Sequence, residues 1–189
     1  MKQKLTFVIL FGLPLAICKQ CLAQQSEVIQ AYIDNYCMLA MAEQKRTGVP
    51  AAIKLAQAIH ESGGGTGALC KKSNNHFGIK CKSWWKGATA YHDDDAKGEC
   101  FRAYPTVEDS FRDHSDFLRA GPHYAFLFKL PATDYKAWAF GLKQAGYATN
   151  DKYPQALIRI IETYNLGAYT IFALSDSNTQ KPADQLTEK

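Results

Sequence analysis

The chain has 189 residues, 47% of them hydrophobic and 12% aromatic, which is enough for one domain with a real core. Of its 22 Lys and Arg and 18 Asp and Glu, three of the basic and none of the acidic residues lie in positions 1–23. The remainder is therefore nearly neutral, which removes the electrostatic case for a nucleic-acid partner.

A basic start (Lys2, Lys4) leads into an apolar run over residues 5–17 that Gly12 and Pro14 interrupt, and then into Cys21-Leu22-Ala23 before Gln24. This pattern predicts a secretory signal over residues 1–23, cut after Ala23, because the run falls short of the ~20 apolar residues that span a bilayer. A lipoprotein signal ending at Cys18 is the rival, with Ile17 a poor fit just before the modified cysteine. The expected domain is 24–174, followed by a polar tail over 175–189 with too little apolar surface to order itself.

Within the domain, Val28, Ile29, Tyr32, Ile33, Tyr36, Leu39 and Ala40 recur at helical spacing, with Ser26 as the expected N-cap and Gly48 as the stop. Pro50 then opens a helix over 51–62 that is apolar nearly all round, broken only by a stripe of Lys54, Gln57 and Glu61 facing solvent or a cleft. Residues 77–104 lose that period and read as short strands at 77–80, 88–92 and 99–104, with Lys97-Gly98 as a turn. Helices resume behind Thr106, which with Asp109 makes a capping-box-like pair, and continue over 133–145 and 154–164. The expected class is mainly α, a helical domain with a small β-hairpin lobe.

Cleavage after Ala23 leaves Cys37, Cys70, Cys81 and Cys100, an even number that in an exported chain predicts two disulfides. Cys81 and Cys100 flank the hairpin and are expected to pair, leaving Cys37 with Cys70. A zinc site from Cys70, His76, Cys81 and Cys100 lacks tight Cys-x-x-Cys spacing, so no metal or other cofactor is expected.

Glu61 closes the apolar helix and is followed at once by Ser62-Gly63-Gly64-Gly65-Thr66-Gly67. The negative end of the helix dipole and apolar walls both disfavour its ionised form, so this carboxyl is built to hold a proton near neutral pH. Glycoside hydrolysis needs such an acid to protonate the leaving oxygen, and glycines beside it leave room for a bulky ligand. Trp84, Trp85, Phe77 and Tyr91 offer flat faces for sugar rings or, equally, a core for the lobe.

Glu61-Ser62-Gly63-x-Gly65-Thr66, Asn74-Asn75-His76-Phe77-Gly78-Ile79-Lys80, Trp85-Lys86-Gly87, Phe101-Arg102-x-Tyr104, Asp113-His114, Trp138 and Gly146-Tyr147-Ala148-Thr149 follow one another in order. Together, over residues 45–169, they resemble the endo-β-N-acetylglucosaminidases of glycoside hydrolase family 73. The resemblance implies a lysozyme-like fold that cuts the β-1,4 bond after N-acetylglucosamine in peptidoglycan. It places Glu61 as catalytic acid and Tyr147 as a tyrosine tied to catalysis and sugar holding. In related enzymes a second carboxylate comes from the β-lobe, which here offers Asp95, then Asp94, with Asp93 and Glu99 beside them. An inverting route would set it about 6.5–9.5 Å from the acid, and a route assisted by the substrate's N-acetyl group would need none. Trp85, Asn75, Phe77, Tyr91 and Thr149 are the expected substrate contacts, although Asn75 also suits a turn and Phe77 a core. Gly64 stands where the family often has an aromatic, implying a looser loop.

The expectation is thus a monomeric exported hydrolase, periplasmic or secreted, acting on peptidoglycan glycan strands without a membrane span. The rivals are a lytic transglycosylase or muramidase of the same fold, and a protein that binds peptidoglycan without cutting it.

Overall fold

The computed structural model describes residues 13–94 and 96–179. Seven helices and one hairpin follow in the order α1 (Leu13–Thr47), α2 (Ala51–Ser62), α3 (Ala68–Ser73), β1 (Thr89–His92), β2 (Glu99–Arg102), α4 (Val107–Ala120), a 3-10 segment (Pro122–Lys129), α5 (Tyr135–Gln144), α6 (Tyr153–Thr163) and α7 (Gly167–Thr179). The mainly helical class with a small hairpin is what the periodicities predict.

The organising element is α2. Ala51, Ala52, Ile53, Leu55, Ala56 and Ala58 are essentially inaccessible, and α1, α5, α6 and α7 all pack on it. Its alanines let neighbouring helices approach closely, while burial of Ile53, Leu55 and Ile59 contributes about 1.5–3 kcal/mol each. Pro50 at the N-cap has no side-chain acceptor, so other helices satisfy the free amides of the first turn. The Ala51 amide donates to Gln44 Oε1 at 2.7 Å and the Ala52 amide to Thr170 Oγ1 at 3.0 Å. Gln44 Nε2 in turn donates to the Thr170 carbonyl at 3.1 Å, which ties α1, α2 and α7 at one corner of the core.

Three boundaries differ from the sequence reading. Ser26 does not cap α1, which is already helical from Leu13 and runs through Ala23, the expected cleavage point. The last helix extends to Thr179, past the expected start of the tail, and residues 180–189 lie outside the described residues. Residues 77–79 form no strand, and only Lys80 makes an isolated bridge to Phe101. The Asn75 side chain takes over the pairing there, accepting from the Phe77 and Ile79 amides and donating to the Ile79 and Arg102 carbonyls. The Thr106 cap forms as read, with its hydroxyl accepting from the Asp109 amide at 3.1 Å.

In the hairpin, Thr89 pairs with Arg102 and His92 with Glu99. The Cys81–Cys100 disulfide pins the incoming loop to β2. The expected Cys37–Cys70 bond is absent, and both are free thiols. Cys70 lines a pocket with Tyr32 and Tyr36 of α1, while Cys37 Sγ donates to the Asp34 carbonyl of its own helix. Among the described residues no helix is long and apolar enough to cross a membrane.

Candidate active site

The stripe read on α2 faces protein along most of its length. Lys54 and Gln57 are wholly buried, and only Glu61, one turn further on, reaches open space. Lys54 Nζ donates to the Phe111 carbonyl and lies 2.9 Å from His114 Nδ1, while Gln57 Nε2 donates to the Tyr153 hydroxyl at 2.9 Å.

Immediately after Glu61 the chain must turn without disturbing the acid. Gly63, in the left-handed region at φ 59°, ends the helix, and the Gly64 amide donates back to the Ile59 carbonyl at 3.0 Å. Ser62 knits the loop: its hydroxyl donates to the Ala58 carbonyl at 2.6 Å and accepts from the Gly65 amide at 2.8 Å. A side chain at Gly64 would begin 2.5 Å from Ile29 Cδ1 of α1, on a backbone of φ +64°. The space of the aromatic expected at this position is thus held by α1, and the loop is braced from behind rather than loose.

Glu61 is an exposed residue, yet protein crowds its carboxyl. Its Oε2 would lie 3.8 Å from a Cβ at Gly78, and the Tyr153 hydroxyl lies close enough to influence its charge. The loss of hydration raises its pKa to about 7, the Asp94 charge adds to the rise, and the Tyr153 hydroxyl opposes it.

Tyr147 and Tyr153 form the aromatic wall, with rings at 5.8 Å and 23°. The Tyr147 hydroxyl donates to the Phe77 carbonyl at 3.3 Å, and burial keeps its pKa well above the ordinary phenol value, so it serves as a neutral donor. Behind it, His114 stacks on Phe77 at 3.9 Å and 13°, and burial holds His114 neutral, far below the usual histidine range.

Glu61, Tyr147 and Asp94 are therefore brought together. Asp94 sits in the β1–β2 turn, its carboxylate 3.4 Å from Lys80 Nζ, which also binds Glu99 at 2.9 Å. Asp95, the first choice for a second carboxylate, lies outside the described residues. Two expected substrate contacts are corrected. Asn75 is 2% exposed with its amide spent on backbone, and Phe77 is 2% exposed in the core against His114 and Phe111, so neither can meet a sugar. Tyr91 is exposed on β1, and Thr149 is exposed while its carbonyl accepts from Lys143 Nζ.

Trp85 lines a separate groove of about 430 Å³ with Tyr104, Pro105, Asp113 and Asp116. Its indole donates to the Ala88 carbonyl at 3.0 Å. Beneath lies Arg102, 1% exposed, bound to both Asp113 oxygens at 2.8 and 2.6 Å, with the Trp84 and Trp85 rings each 4.6 Å from its guanidinium carbon. The Tyr104 hydroxyl donates to the same carboxylate at 2.6 Å. Sequence reasoning missed Tyr153 and this ion pair; the available signal was Gln57, whose place in an otherwise apolar helix demands a buried polar partner.

Residues 37–166 match the glucosaminidase family, described as mannosyl-glycoprotein endo-beta-N-acetylglucosaminidase. The chain belongs to that family. The chain is 32% identical over 165 residues to the exo-glucosaminidase LytG of Bacillus subtilis, a match covering 82% of this chain and 58% of LytG. To the peptidoglycan hydrolase FlgJ of Pseudomonas aeruginosa it is 33% identical over 168 residues, covering 80% of this chain and 40% of FlgJ. The chain thus spans about half the length of these curated relatives. The crystal structure of a peptidoglycan hydrolase from Sphingomonas sp. A1 superposes on it with a TM-score of 0.66 at 32% identity, covering 76% of this chain and 94% of that one.

Proposed function

We propose that the protein is an exported peptidoglycan hydrolase, an endo-β-N-acetylglucosaminidase in which Glu61 is the general acid. The observation that carries this reading is the placement of Glu61: an exposed carboxyl-bearing residue on the last turn of the most buried helix, beside Tyr147 and Tyr153, with its pKa raised to about 7. Such a group is still protonated in near-neutral solution and can transfer its proton to the glycosidic oxygen as the C1–O bond breaks. Tyr147, whose own proton goes to the Phe77 carbonyl, orients the sugar by accepting a hydrogen bond from it. Asp94 is the described acid of the lobe suited to activate water or to stabilise positive charge at C1, with Asp95 the other candidate.

Tyr91, Thr149 and Trp85 provide sugar contacts along the cleft and its flanking groove. The family's relatives named as peptidoglycan hydrolases support both the substrate and an extracytoplasmic site of action. Export would follow cleavage after Ala23, which starts the mature chain at Gln24 inside α1, with the domain over 24–174 acting as a monomer and without nucleic acid.

The test is digestion of purified peptidoglycan by the mature chain and by Glu61→Gln, with mass spectrometry before and after borohydride reduction. Reduced N-acetylglucosamine ends from wild type and none from the variant are expected, with long internal fragments early in the digest. Release of single residues from strand ends would instead indicate exo action, and muramic or anhydromuramic ends would overturn the bond assignment. Tight binding without cleavage would overturn catalysis.

A further inference from the structure

Two loops flank Glu61, and one side chain of α1 meets both. The first is the glycine loop that follows the acid, where the Ser62 hydroxyl ties the Gly65 amide to the Ala58 carbonyl. The second runs over residues 74–80: Gly78 stands beside Glu61 Oε2, and the Phe77 carbonyl accepts from the Tyr147 hydroxyl. Tyr32 packs its ring directly against the first loop. A Cβ at Gly65 would lie 3.2 Å from Tyr32 Cδ2 and Cε2, on a backbone of φ +79° that suits glycine. The Tyr32 hydroxyl, at the other end of the ring, is hydrogen-bonded to His76 Nδ1 of the second loop at 2.5 Å. His76 is also anchored to α4, its amide donating to Ser110 Oγ at 3.1 Å. Tyr32 and His76 are each 4% exposed, so water does not compete for the bond between them.

We propose that Tyr32, acting through His76, is a positioning residue of the active site: it fixes the glycine loop behind Glu61 to the loop that faces the Glu61 carboxyl and receives the Tyr147 hydroxyl. Removing the phenol oxygen leaves the ring under Gly65, and His76 keeps its ring contacts with Tyr36 and Phe111. Tyr32→Phe therefore loosens the spacing of the two loops without emptying the core between them. A looser second loop lets Gly78 move off the carboxyl and water reach it, which favours the ionised acid. It also lets the acceptor of Tyr147 drift, and a misplacement of about 1 Å costs up to about 100-fold in rate.

The inference rests on the general-acid reading, and its test separates the two. The mature chain, Tyr32→Phe, His76→Leu, the double variant and His76→Asn are assayed on soluble glycan strands from purified peptidoglycan across pH 4–9. In each, the Glu61 carboxyl carbon is titrated by NMR and Tm is measured. Tyr32→Phe should lower kcat about tenfold with KM within about twofold. Its alkaline limb and NMR midpoint should fall by about half a pH unit. His76→Leu should behave alike, and the double variant should be no worse than either, because the two side chains act as one unit. His76→Asn, whose amide can stand where Nδ1 stood, should recover most of both losses. Leu127→Val, a core truncation beside Gly141 of α5, should lower Tm and leave the midpoint in place. A midpoint in Tyr32→Phe that stays put or rises would overturn the inference and leave Tyr32 a packing residue. Losses that multiply in the double variant, or His76→Asn no better than His76→Leu, would overturn it too. If wild type cleaves no glycan, the general-acid reading fails, while the NMR midpoints still decide whether Tyr32 governs the surroundings of Glu61.

Discussion

Replacing Asp113 with alanine removes the one anion that, among the described residues, is bonded to the buried Arg102 guanidinium. Arg102 has 1% exposure, and its Nε and NH2 have no partner among the described residues, so both hydrogen bonds to Asp113 count. Losing one partner of a fully buried pair costs roughly 3–5 kcal/mol. Asp113 keeps 24% of its side-chain surface in contact with water, which lets solvent reach the orphaned charge and puts the expected loss near the lower end, about 3 kcal/mol. For a domain of this size that lowers Tm by roughly 6–12 °C. The control is on the same helix: Asp116 bonds Arg46 at 2.7 Å but is 52% exposed, so Asp116→Ala should cost less than about 1 kcal/mol. Urea and thermal unfolding of the mature chain give both numbers. Arg102→Met added to Asp113→Ala should recover much of the loss, because the unpaired charge is then gone. If Asp113→Ala falls within about 0.5 kcal/mol of Asp116→Ala, the ion pair is not what holds Arg102 under the Trp84 and Trp85 rings.

Three further outcomes follow from the same burial pattern. Glu61 has a folded pKa of about 7 against an ordinary 4.5, so the folded state loses stability as pH rises between those values and the penalty is complete above pH 7. Glu61→Gln should therefore raise Tm at pH 8, leave it nearly unchanged at pH 4, and abolish cleavage; an equal rise at both pH values refutes the assigned pKa. Lys54 is the reverse case, with a folded pKa of about 7 against 10.5, so stability climbs between pH 7 and pH 10.5. Lys54→Met should flatten the climb, by up to about 1.4 kcal/mol per pH unit, in urea unfolding measured over that range. Thiol titration of the denatured, unreduced chain beginning at Gln24 should find the two thiols of Cys37 and Cys70, and none if they are bonded.

What could be read in the sequence was what local chemistry decides. The Thr106–Asp109 cap, the hairpin closed by Cys81 and Cys100, and the Lys54-Gln57-Glu61 stripe depend on residues a few positions apart. The errors at the cysteines and the site required knowing which face of one element meets another. Cys37 and Cys70 looked pairable until the fold left both as free thiols, and Asn75 looked like a sugar ligand until the missing strand made it the backbone's partner. Tyr153 follows Asn150-Asp151-Lys152, a segment that reads as a connection, and only its distant contact with Gln57 shows that it belongs to the site.

The same contacts predict where the site is stiff and where it gives. Both tyrosines of the wall are tied to α2: Tyr153 through Gln57, and Tyr147 through the Phe77 carbonyl, whose ring stacks on the His114 that Lys54 contacts. Acid and aromatic wall therefore move only if the central helix moves, which requires global unfolding. The hairpin is held differently. Its base is fixed by the disulfide and by Lys80, and among the described residues its turn has surface contacts such as Lys80–Asp94 and the Gly98 amide to Asp93 at 2.7 Å. Native-state hydrogen exchange should accordingly find α2 amides opening with the global free energy of unfolding, and amides around Asp94 and Gly98 exchanging through small local openings. Equal protection at the two places would mean that the lobe is as rigid as the core, and that Asp94 is fixed relative to Glu61 before any glycan binds. The expected gradient instead makes the acid the stationary partner and the lobe the one that adjusts its carboxylate to the sugar.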